Sequence, residues 1–426
     1  MKNWTFKTPK ERWNFRVTPV RLGMLAVFVF SLVLIFARYY AGLGEWTGLN
    51  DEMPWGLWIG ADMNVIALAG AGFSTAIITH IFHVEKYEPV SRRCLLLSFI
   101  GYVLVLLILI IEIGRWDNFW RPFVSPGIHS PMFEVYMCIV AYMVLQVIEL
   151  VEVGAEKVSP KFKKKMHPIM QVVFIAACTV PLGHQASLGS LYLAMPAKLD
   201  PIWASQMMPW LFLLSAFFVG PCVAIVEYIW TNSRYKMKID TEMLYGLSRI
   251  SAVLMAVYFV LKGADLVMHG QLGNVFAFNL EGNMFILEMV LLCVLPIVIH
   301  LIPFGKTQGG LLVFGLSGMC GLVLTRLNVV FTGMSAHIAS LGGGYFPSFM
   351  EIVSTIGLFC LAFLAYLYIT ENFPFFYGVP GDSDAKVDVE TENEFNQAII
   401  GTDFLIFQTN CSYQSFQSLI FCMRQT

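Results

Sequence analysis

Long apolar stretches, separated by short polar ones, run along almost the whole chain. About ten of them are long enough to cross the roughly 30 Å hydrocarbon core of a bilayer as helices. The pattern predicts transmembrane helices at about 20–41, 55–80, 92–113, 131–153, 168–194, 205–230, 245–268, 283–303, 309–331 and 347–370. We therefore predict an all-α polytopic membrane protein in which helices 2–5 and 6–9 form two four-helix bundles, flanked by helices 1 and 10.

Composition agrees with this pattern. The 426 residues are 57% hydrophobic and only 13% charged, which excludes an ordinary soluble globular protein. We predict a basic N-terminus (1–19), a membrane domain (20–370) and a tail (371–426) that is partly disordered because 382–394 is acidic. No cleavable signal peptide is expected, because the basic start runs directly into a full-length span.

Lysine and arginine are concentrated in alternate loops. The basic set comprises 2–21, 86–93, 157–165, 234–238 and Lys306, whereas the opposite set holds Arg38, Arg115, Arg121 and Lys198. Because basic loops stay on the cytoplasmic side, both termini are expected to be cytoplasmic. The nine cysteines form no Cys-x-x-Cys pair, so any iron–sulfur cluster is expected to belong to a partner.

The stretch from Pro181 to Ser190 places an imidazole and an amide inside an apolar segment. An ionisable group at that depth is costly, so His184 and Gln185 are predicted to be functional. The alternative is a helix end held by polar caps.

Other ionisable groups fall in the external half of the predicted helices. The set is Asp62, Glu112, Arg115, His129, Glu134, His184, Asp265, Glu288 and Arg326. Such groups are expected to line a shared polar pocket between helices. A quinone fits this pocket, since its apolar ring needs hydrogen-bond donors at two carbonyls and its reduction consumes two protons. His184 and a carboxylate are suitable partners.

Three motifs resemble the NrfD/PsrC family, the integral membrane subunit of polysulfide reductase. They are Pro54-Trp55-Gly56-Leu57-Trp58-Ile59-Gly60, Gly114-Arg115-Trp116-Asp117-Asn118 with His129-Ser130-Pro131-Met132-Phe133-Glu134, and His184-Gln185-x-Ser187-Leu188-Gly189. The resemblance is strongest to the ten-helix branch, which includes the membrane subunits of a periplasmic hydrogenase (HybB) and of the Qrc menaquinone reductase (QrcD). It covers helices 1 to 10 and fades after about residue 375.

This resemblance implies a haem-free subunit of a bacterial inner-membrane complex for anaerobic respiration. A periplasmic ferredoxin-like iron–sulfur subunit would exchange electrons with menaquinone near the periplasmic face. Further catalytic or multihaem cytochrome subunits are expected as partners, and nucleic acid is not. The chain would not be an enzyme in isolation.

The resemblance also implies roles for particular residues. His184 would contact the quinone, with Gln185, Asp62 and Glu134 as pocket or proton-transfer neighbours. Arg115 would be a charge partner. His129 would line the site or instead cap helix 4.

Polar groups in the cytoplasmic half motivate a further hypothesis. Protons would reach the site from the cytoplasm through Glu149, Glu227, Arg249, His300 and buried water, while electrons arrive from outside. Quinone reduction would then be electrogenic.

Two other functions are considered. A di-haem cytochrome b needs paired axial histidines on facing helices, and the intramembrane histidines are few and badly placed for this. A secondary transporter usually has a pair of broken helices in corresponding positions, whereas here only Pro181–Gly183 indicates an interruption.

Overall fold

The computed structural model describes residues 17–50, 53–155 and 160–372. Within these ranges the regular structure is entirely helical, and ten helices are long and apolar enough to span a membrane. The predicted all-α polytopic fold is therefore confirmed. The predicted basic N-terminus, apart from 17–19, and the tail beyond Asn372 lie outside the described residues.

The ten spanning helices are numbered in chain order. They are α1 (Pro19–Ala41), α2 (Leu57–Ile81), α3 (Glu88–Glu112), α4 (Pro131–Ala155), α5 (Pro160–Ser190), α6 (Met208–Tyr235), α7 (Thr241–Met268), α8 (Leu280–Leu301), α9 (Gln308–Ser340) and α10 (Phe349–Asn372). Several begin at side-chain caps, which satisfy amides that have no partner within the helix. Thr18, Asp240 and Thr307 each accept a hydrogen bond from the amide three residues later.

Helix α5 differs from the expectation of an interruption at Pro181–Gly183. It is continuous from Pro160 to Ser190, with Pro181 inside it. A proline removes one intrahelical hydrogen bond, but neighbouring helices and hydroxyl side chains make this tolerable in membrane helices. His184 and Gln185 consequently project from a regular helix, and the alternative of a capped helix end does not apply to them.

Helix α9 extends nine residues beyond its predicted end. The apolar run weakens after Phe331, yet the helix continues to Ser340 through a π turn at Asn328–Thr332. A π turn inserts one extra residue and is often found where side chains serve a function. Here it directs Asn328 towards α8, where its amide donates to Glu288 at 2.7 Å.

Helix α6 packs against helices from both halves of the chain. Helix α2 packs against α3, and α4 packs against α5; in the second half α6 packs against α7 and α9, and α8 packs against α9. Helix α6 also contacts α2 and α5. Helices α1 and α10 pack on each other, and α10 also contacts α3.

The two ends of this assembly can be told apart by α1 and α10. Arg21, near the start of α1, donates to both carboxylate oxygens of Glu371, near the end of α10, at 3.0 and 2.5 Å. We call this the terminal end. At the opposite end, the distal end, the Ser348 hydroxyl donates to the carbonyl of Trp46 at 2.9 Å. The distribution of basic residues predicts that the distal end is external.

Helices α8 and α9 approach each other very closely at Gly321. A Cβ added there would lie 2.3 Å from the backbone nitrogen of Leu292 and 2.4 Å from its Cα. Small residues permit such backbone contact between membrane helices.

Replacing Gly321 should therefore destabilise the protein. Gly321→Ala is expected to lower the apparent melting temperature in detergent, because relieving the overlap requires a shift of α8; the cost is about 1–3 kcal/mol. Gly263→Ala in α7 is the matched control, since nothing lies within 4 Å of the added Cβ. It should be neutral or stabilising. Equal melting temperatures for both variants would contradict the close contact.

Candidate functional site

His184 is completely buried between helices. It lies six residues before the end of α5, and its Nδ1 is 3.3 Å from the hydroxyl of Tyr102 on α3. Its Nε2 is buried and has no hydrogen-bond partner among the described residues. Because buried polar atoms normally have a partner, this nitrogen is available for a bound molecule or water.

Gln185 follows this histidine on α5, and Asp62 on α2 is connected to both residues through Ile66 and Tyr102. The Gln185 side-chain amide donates to the carbonyl of Ile66 on α2 at 3.1 Å, while its Oε1 has no partner in the described structure. Asp62 lies one turn before Ile66, is 3% exposed, and has an unpartnered Oδ1. Its carboxyl is close enough to Tyr102 for the two groups to interact electrostatically. We call Asp62, Tyr102, His184 and Gln185 the histidine site.

Tyr102 was not predicted from the sequence. It lies in an apolar run, where a tyrosine facing lipid and one facing the bundle look the same. Only the rotation of α3 brings its hydroxyl to His184. The tyrosine also packs edge-to-face on Tyr142 of α4, with ring centroids 4.6 Å apart.

A row of buried polar side chains continues from Tyr142 towards the terminal end. The Tyr142 hydroxyl is 3.4 Å from that of Ser98, and the Gln146 amide donates to Ser98 at 2.8 Å. Glu149 lies nearly one turn beyond Gln146, is also buried, and interacts electrostatically with Tyr142. Together Tyr142, Ser98, Gln146 and Glu149 form the polar row, which joins the histidine site through Tyr102.

A second group of acids lies at the distal end. Glu112 at the end of α3 is close enough to Asp62, Arg38 and Glu351 for electrostatic interaction. Glu351 is fully buried and accepts hydrogen bonds from the Tyr345 hydroxyl at 2.6 Å and the Ser348 amide at 2.8 Å. Burial, together with the Glu351 carboxylate, raises the pKa of Tyr345, so its hydroxyl remains a proton donor.

The ionisable groups of α7–α9 form a separate cluster instead of joining the histidine site. Lys262 is 3.4 Å from Asp265, which also accepts from the Ser205 hydroxyl at 2.6 Å. Glu288 accepts from Asn328 and, at 3.3 Å, from the Trp203 indole. The expectation of one pocket shared by all external-half groups is therefore not met.

This second cluster is balanced in charge. Arg326 lies 3.4 Å above the Phe212 ring, donates to the Ser215 hydroxyl at 2.9 Å, and is close enough to Glu288 to interact electrostatically. The two cations, Lys262 and Arg326, therefore offset the two acids, Asp265 and Glu288. In the histidine site, by contrast, Asp62 forms no ion pair among the described residues.

Three predicted site residues lie elsewhere. Arg115, His129 and Glu134 are exposed in the α3–α4 connection or at the start of α4, and Arg115 pairs with Asp117 at 3.3 Å. The connection is exposed and packs against α4, where the Tyr136 hydroxyl donates to the carbonyl of Phe119. The structure does not bring these three residues to His184.

Three predicted proton-path residues are also separate from the polar row. Glu227 is buried and accepts from Thr231 and from Tyr366 of α10. His300 has its Nδ1 3.0 Å from the Ser248 hydroxyl, and Arg249 is exposed. Of the four predicted residues, only Glu149 belongs to the polar row, where it interacts electrostatically with Tyr142.

Metal-binding and cavity features are limited in the part of the chain that the structure describes. It contains no group of three or more histidine, cysteine or acidic side chains arranged for a metal ion. A cavity of about 510 Å³ is lined by Tyr192, Ser205 and His269, among others. The Tyr192 hydroxyl donates to the sulfur of Met63, the residue that follows Asp62 on α2, at 3.0 Å.

Comparison with known proteins gives consistent matches. The family model "Polysulphide reductase, NrfD" matches residues 45–339. A protein of Nitratidesulfovibrio vulgaris is 27% identical over 380 residues, covering 87% of this chain and 97% of that protein. The "Probable Ni/Fe-hydrogenase 2 b-type cytochrome subunit" of Escherichia coli is 28% identical over 358 residues, covering 82% and 90%. The "Menaquinone reductase, integral membrane subunit" of N. vulgaris is 26% identical over 260 residues, covering 57% and 62%.

Paired aspartate substitutions test the difference between the two clusters. Asp265→Asn should cost about 3–5 kcal/mol of stability, because it leaves the buried Lys262 ammonium without its carboxylate. Asp62→Asn makes the same replacement of a carboxylate by an amide but removes no ion pair. It should change the free energy of unfolding by less than about 1 kcal/mol. The measurement is unfolding of both variants in detergent. An Asp62 variant that is at least as unstable as the Asp265 variant would contradict this description.

Proposed function

We propose that this chain, which belongs to the polysulphide reductase NrfD family, is the quinone-binding membrane subunit of a respiratory redox complex. It is a multi-pass integral membrane protein, and its relatives include a hydrogenase b-type cytochrome subunit and the integral membrane subunit of a menaquinone reductase. Menaquinone is the proposed substrate at the histidine site. An iron–sulfur partner subunit, with further catalytic or multihaem cytochrome subunits behind it, exchanges electrons with that substrate.

The observation that carries this proposal is the set of unpartnered polar atoms at the histidine site. His184 Nε2, Gln185 Oε1 and Asp62 Oδ1 come from α5 and α2 and are all buried. Leaving a buried polar group unpaired costs about 1–3 kcal/mol. A bound molecule that pairs with several of these atoms would recover that free energy. A quinone ring offers two carbonyl acceptors on an apolar disc, which can accept hydrogen bonds from His184 Nε2 and from a protonated Asp62 carboxyl.

Tyr102 sets the direction in which His184 passes a proton, because Nε2 gives its proton to the quinone ring while Nδ1 takes the proton of the Tyr102 hydroxyl, which leaves the imidazole neutral. When the Tyr102 hydroxyl donates to Nδ1, the neutral imidazole carries its hydrogen on Nε2. That hydrogen then points at the position of a quinone carbonyl. Asp62, as a buried carboxyl without an ion pair, holds a proton that it can give to the reduced ring. Gln185, held by Ile66, offers Oε1 to the hydroxyl of the product quinol.

The proposed electron donor docks at the distal end. His184 lies about 9 Å along α5 from Ser190 at that end, given a rise of 1.5 Å per residue. The distribution of basic residues favours an external distal end and cytoplasmic termini. The complex is therefore proposed to lie in a bacterial inner membrane, with its iron–sulfur subunit in the periplasm.

Protons are proposed to arrive from the opposite side through the polar row. Glu149 lies near the terminal end of α4, and Gln146, Ser98 and the tyrosine hydroxyls lead from it to His184. Buried water would bridge the longer gaps. This route retains Glu149 from the sequence hypothesis and omits Glu227, Arg249 and His300. Electron entry and proton uptake from opposite sides would make quinone reduction electrogenic.

A second candidate function, a haem-containing cytochrome b, is favoured by the printed name of the E. coli relative. Two axial histidines on facing helices would be required for each haem. The described histidine side chains other than His184 lie at or near helix ends, exposed or half-buried. We therefore propose a haem-free chain. The visible spectrum of the purified subunit tests this, since a Soret band would establish the cytochrome instead.

His184 is expected to be essential for turnover. His184→Ala should reduce menaquinone reduction by at least about 100-fold, because it removes a positioned proton donor. The complex should still assemble, as judged by co-purification of its subunits. His337→Ala, at the distal part of α9, is the matched control and should retain activity. Full activity of the His184 variant would remove this residue from the mechanism.

Glu149 is expected to control proton uptake. In liposomes containing the oriented complex, Glu149→Gln should slow the uptake of internal protons and the build-up of membrane potential during quinone reduction. The matched control is Glu152→Gln, less than one turn further along α4 and only half-buried. Unchanged potential and uptake in the Glu149 variant would exclude the polar row as the route.

A further inference from the structure

The connection between α3 and α4 exposes an unusual number of large apolar side chains. The large apolar side chains that are exposed there, with 49% to 73% of their surface accessible, are Trp116, Phe119, Trp120, Phe123, Val124 and Ile128. Loops in contact with water rarely present such a run, and large exposed apolar patches usually mark an interaction surface. We call residues 116–128 the aromatic loop.

The aromatic loop packs against the first turns of α4. Its Phe119 carbonyl accepts a hydrogen bond from the Tyr136 hydroxyl at 2.9 Å, and the Phe123 and Tyr136 rings pack with centroids 5.6 Å apart. Tyr136 lies five residues inside α4, about 7.5 Å below its start. The loop therefore reaches the level of the first turns of the spanning helices.

The other side of the loop meets α1 at a similar level. Trp116 packs edge-to-face on Tyr39, whose hydroxyl donates to the carbonyl of Ile110 on α3 at 2.9 Å. Nearby on the helices, Phe36 of α1 and Met132 of α4 are exposed by 69% and 58%. In a membrane-spanning bundle these lateral apolar surfaces face lipid, and the exposed face of the loop continues them.

We propose that the aromatic loop is an interfacial anchor whose occupant is phospholipid at the boundary between headgroups and acyl chains. Tryptophan and phenylalanine suit this boundary, because apolar rings enter the acyl region while the indole N–H remains near polar groups. Arg115 and Arg121, which flank Trp116 and Trp120, lie where they can meet lipid phosphates. The loop fixes the depth of α3 and α4, the helices that carry Tyr102 and the polar row. This role does not depend on which molecule the histidine site binds.

Depth-dependent fluorescence quenching tests the proposal. A genetically encoded fluorescent amino acid replaces Phe119 in the full chain, which is reconstituted in vesicles of phosphatidylcholine and phosphatidylglycerol. The same label in place of Asn274, exposed in the α7–α8 connection, is the aqueous control, and in place of Val144, exposed on α4, the lipid control. Quenchers are lipids with a nitroxide near the headgroup or near the chain end, and aqueous iodide.

If the loop is an interfacial anchor, the nitroxide near the headgroup should quench the label at position 119 at least about twofold more than the label at position 274. Iodide should quench position 274 more than position 119. Position 144 should respond more to the nitroxide near the chain end. Quenching of position 119 by iodide alone would overturn the proposal. Loss of the lipid quenching when the partner subunits are present would also overturn it, because the loop would then be a protein-docking surface.

Discussion

The interior of a membrane protein must satisfy its own polar groups, since lipid offers them no hydrogen bonds. This constraint separates the buried ionisable residues of the chain into two kinds. In α6–α9, Lys262 and Arg326 offset Asp265 and Glu288, and hydroxyl, indole and amide groups donate to the two acids, while Arg326 leaves Nε and Nη1 without a partner among the described residues. In α2–α5, His184, Gln185 and Asp62 each leave one buried atom unpaired. The first kind balances its charges within the bundle, whereas in the second Asp62 has no ion-pair partner among the described residues.

The unpaired atoms are oriented by contacts that are themselves satisfied. Tyr102 meets one nitrogen of His184, and Ile66 holds the amide of Gln185. Because α5 is continuous through Pro181, both side chains have fixed positions on one helix. Such a site is preorganised, so a substrate bound there does not have to order the protein around it. The polar row beyond Tyr102 runs from this position towards the terminal end of α4.

Much of the fold follows from the sequence because an apolar run long enough to cross a bilayer has few other stable structures. The exceptions are the places where local pattern and helix geometry diverge: α9 continues past its apolar run, and α5 does not break at Pro181. Within the site, His184, Gln185 and Asp62 are visible in the sequence because polar residues are rare at that depth. Tyr102 and Gln146 are not, because helix rotation decides whether such side chains face lipid or the bundle. The same lack of tertiary information grouped Arg115, His129 and Glu134 with His184, although their connection folds outward.

The central claim is that His184 Nε2 faces bound menaquinone. The most direct measurement is an experimental structure of the reconstituted complex with a menaquinone analogue. The account predicts a carbonyl oxygen about 2.7–3.2 Å from Nε2, with the ring between α2, α3 and α5. An analogue bound elsewhere, for instance in a second cavity of about 450 Å³ that is lined by Phe331 and Tyr345, with His184 still unpartnered, would contradict it.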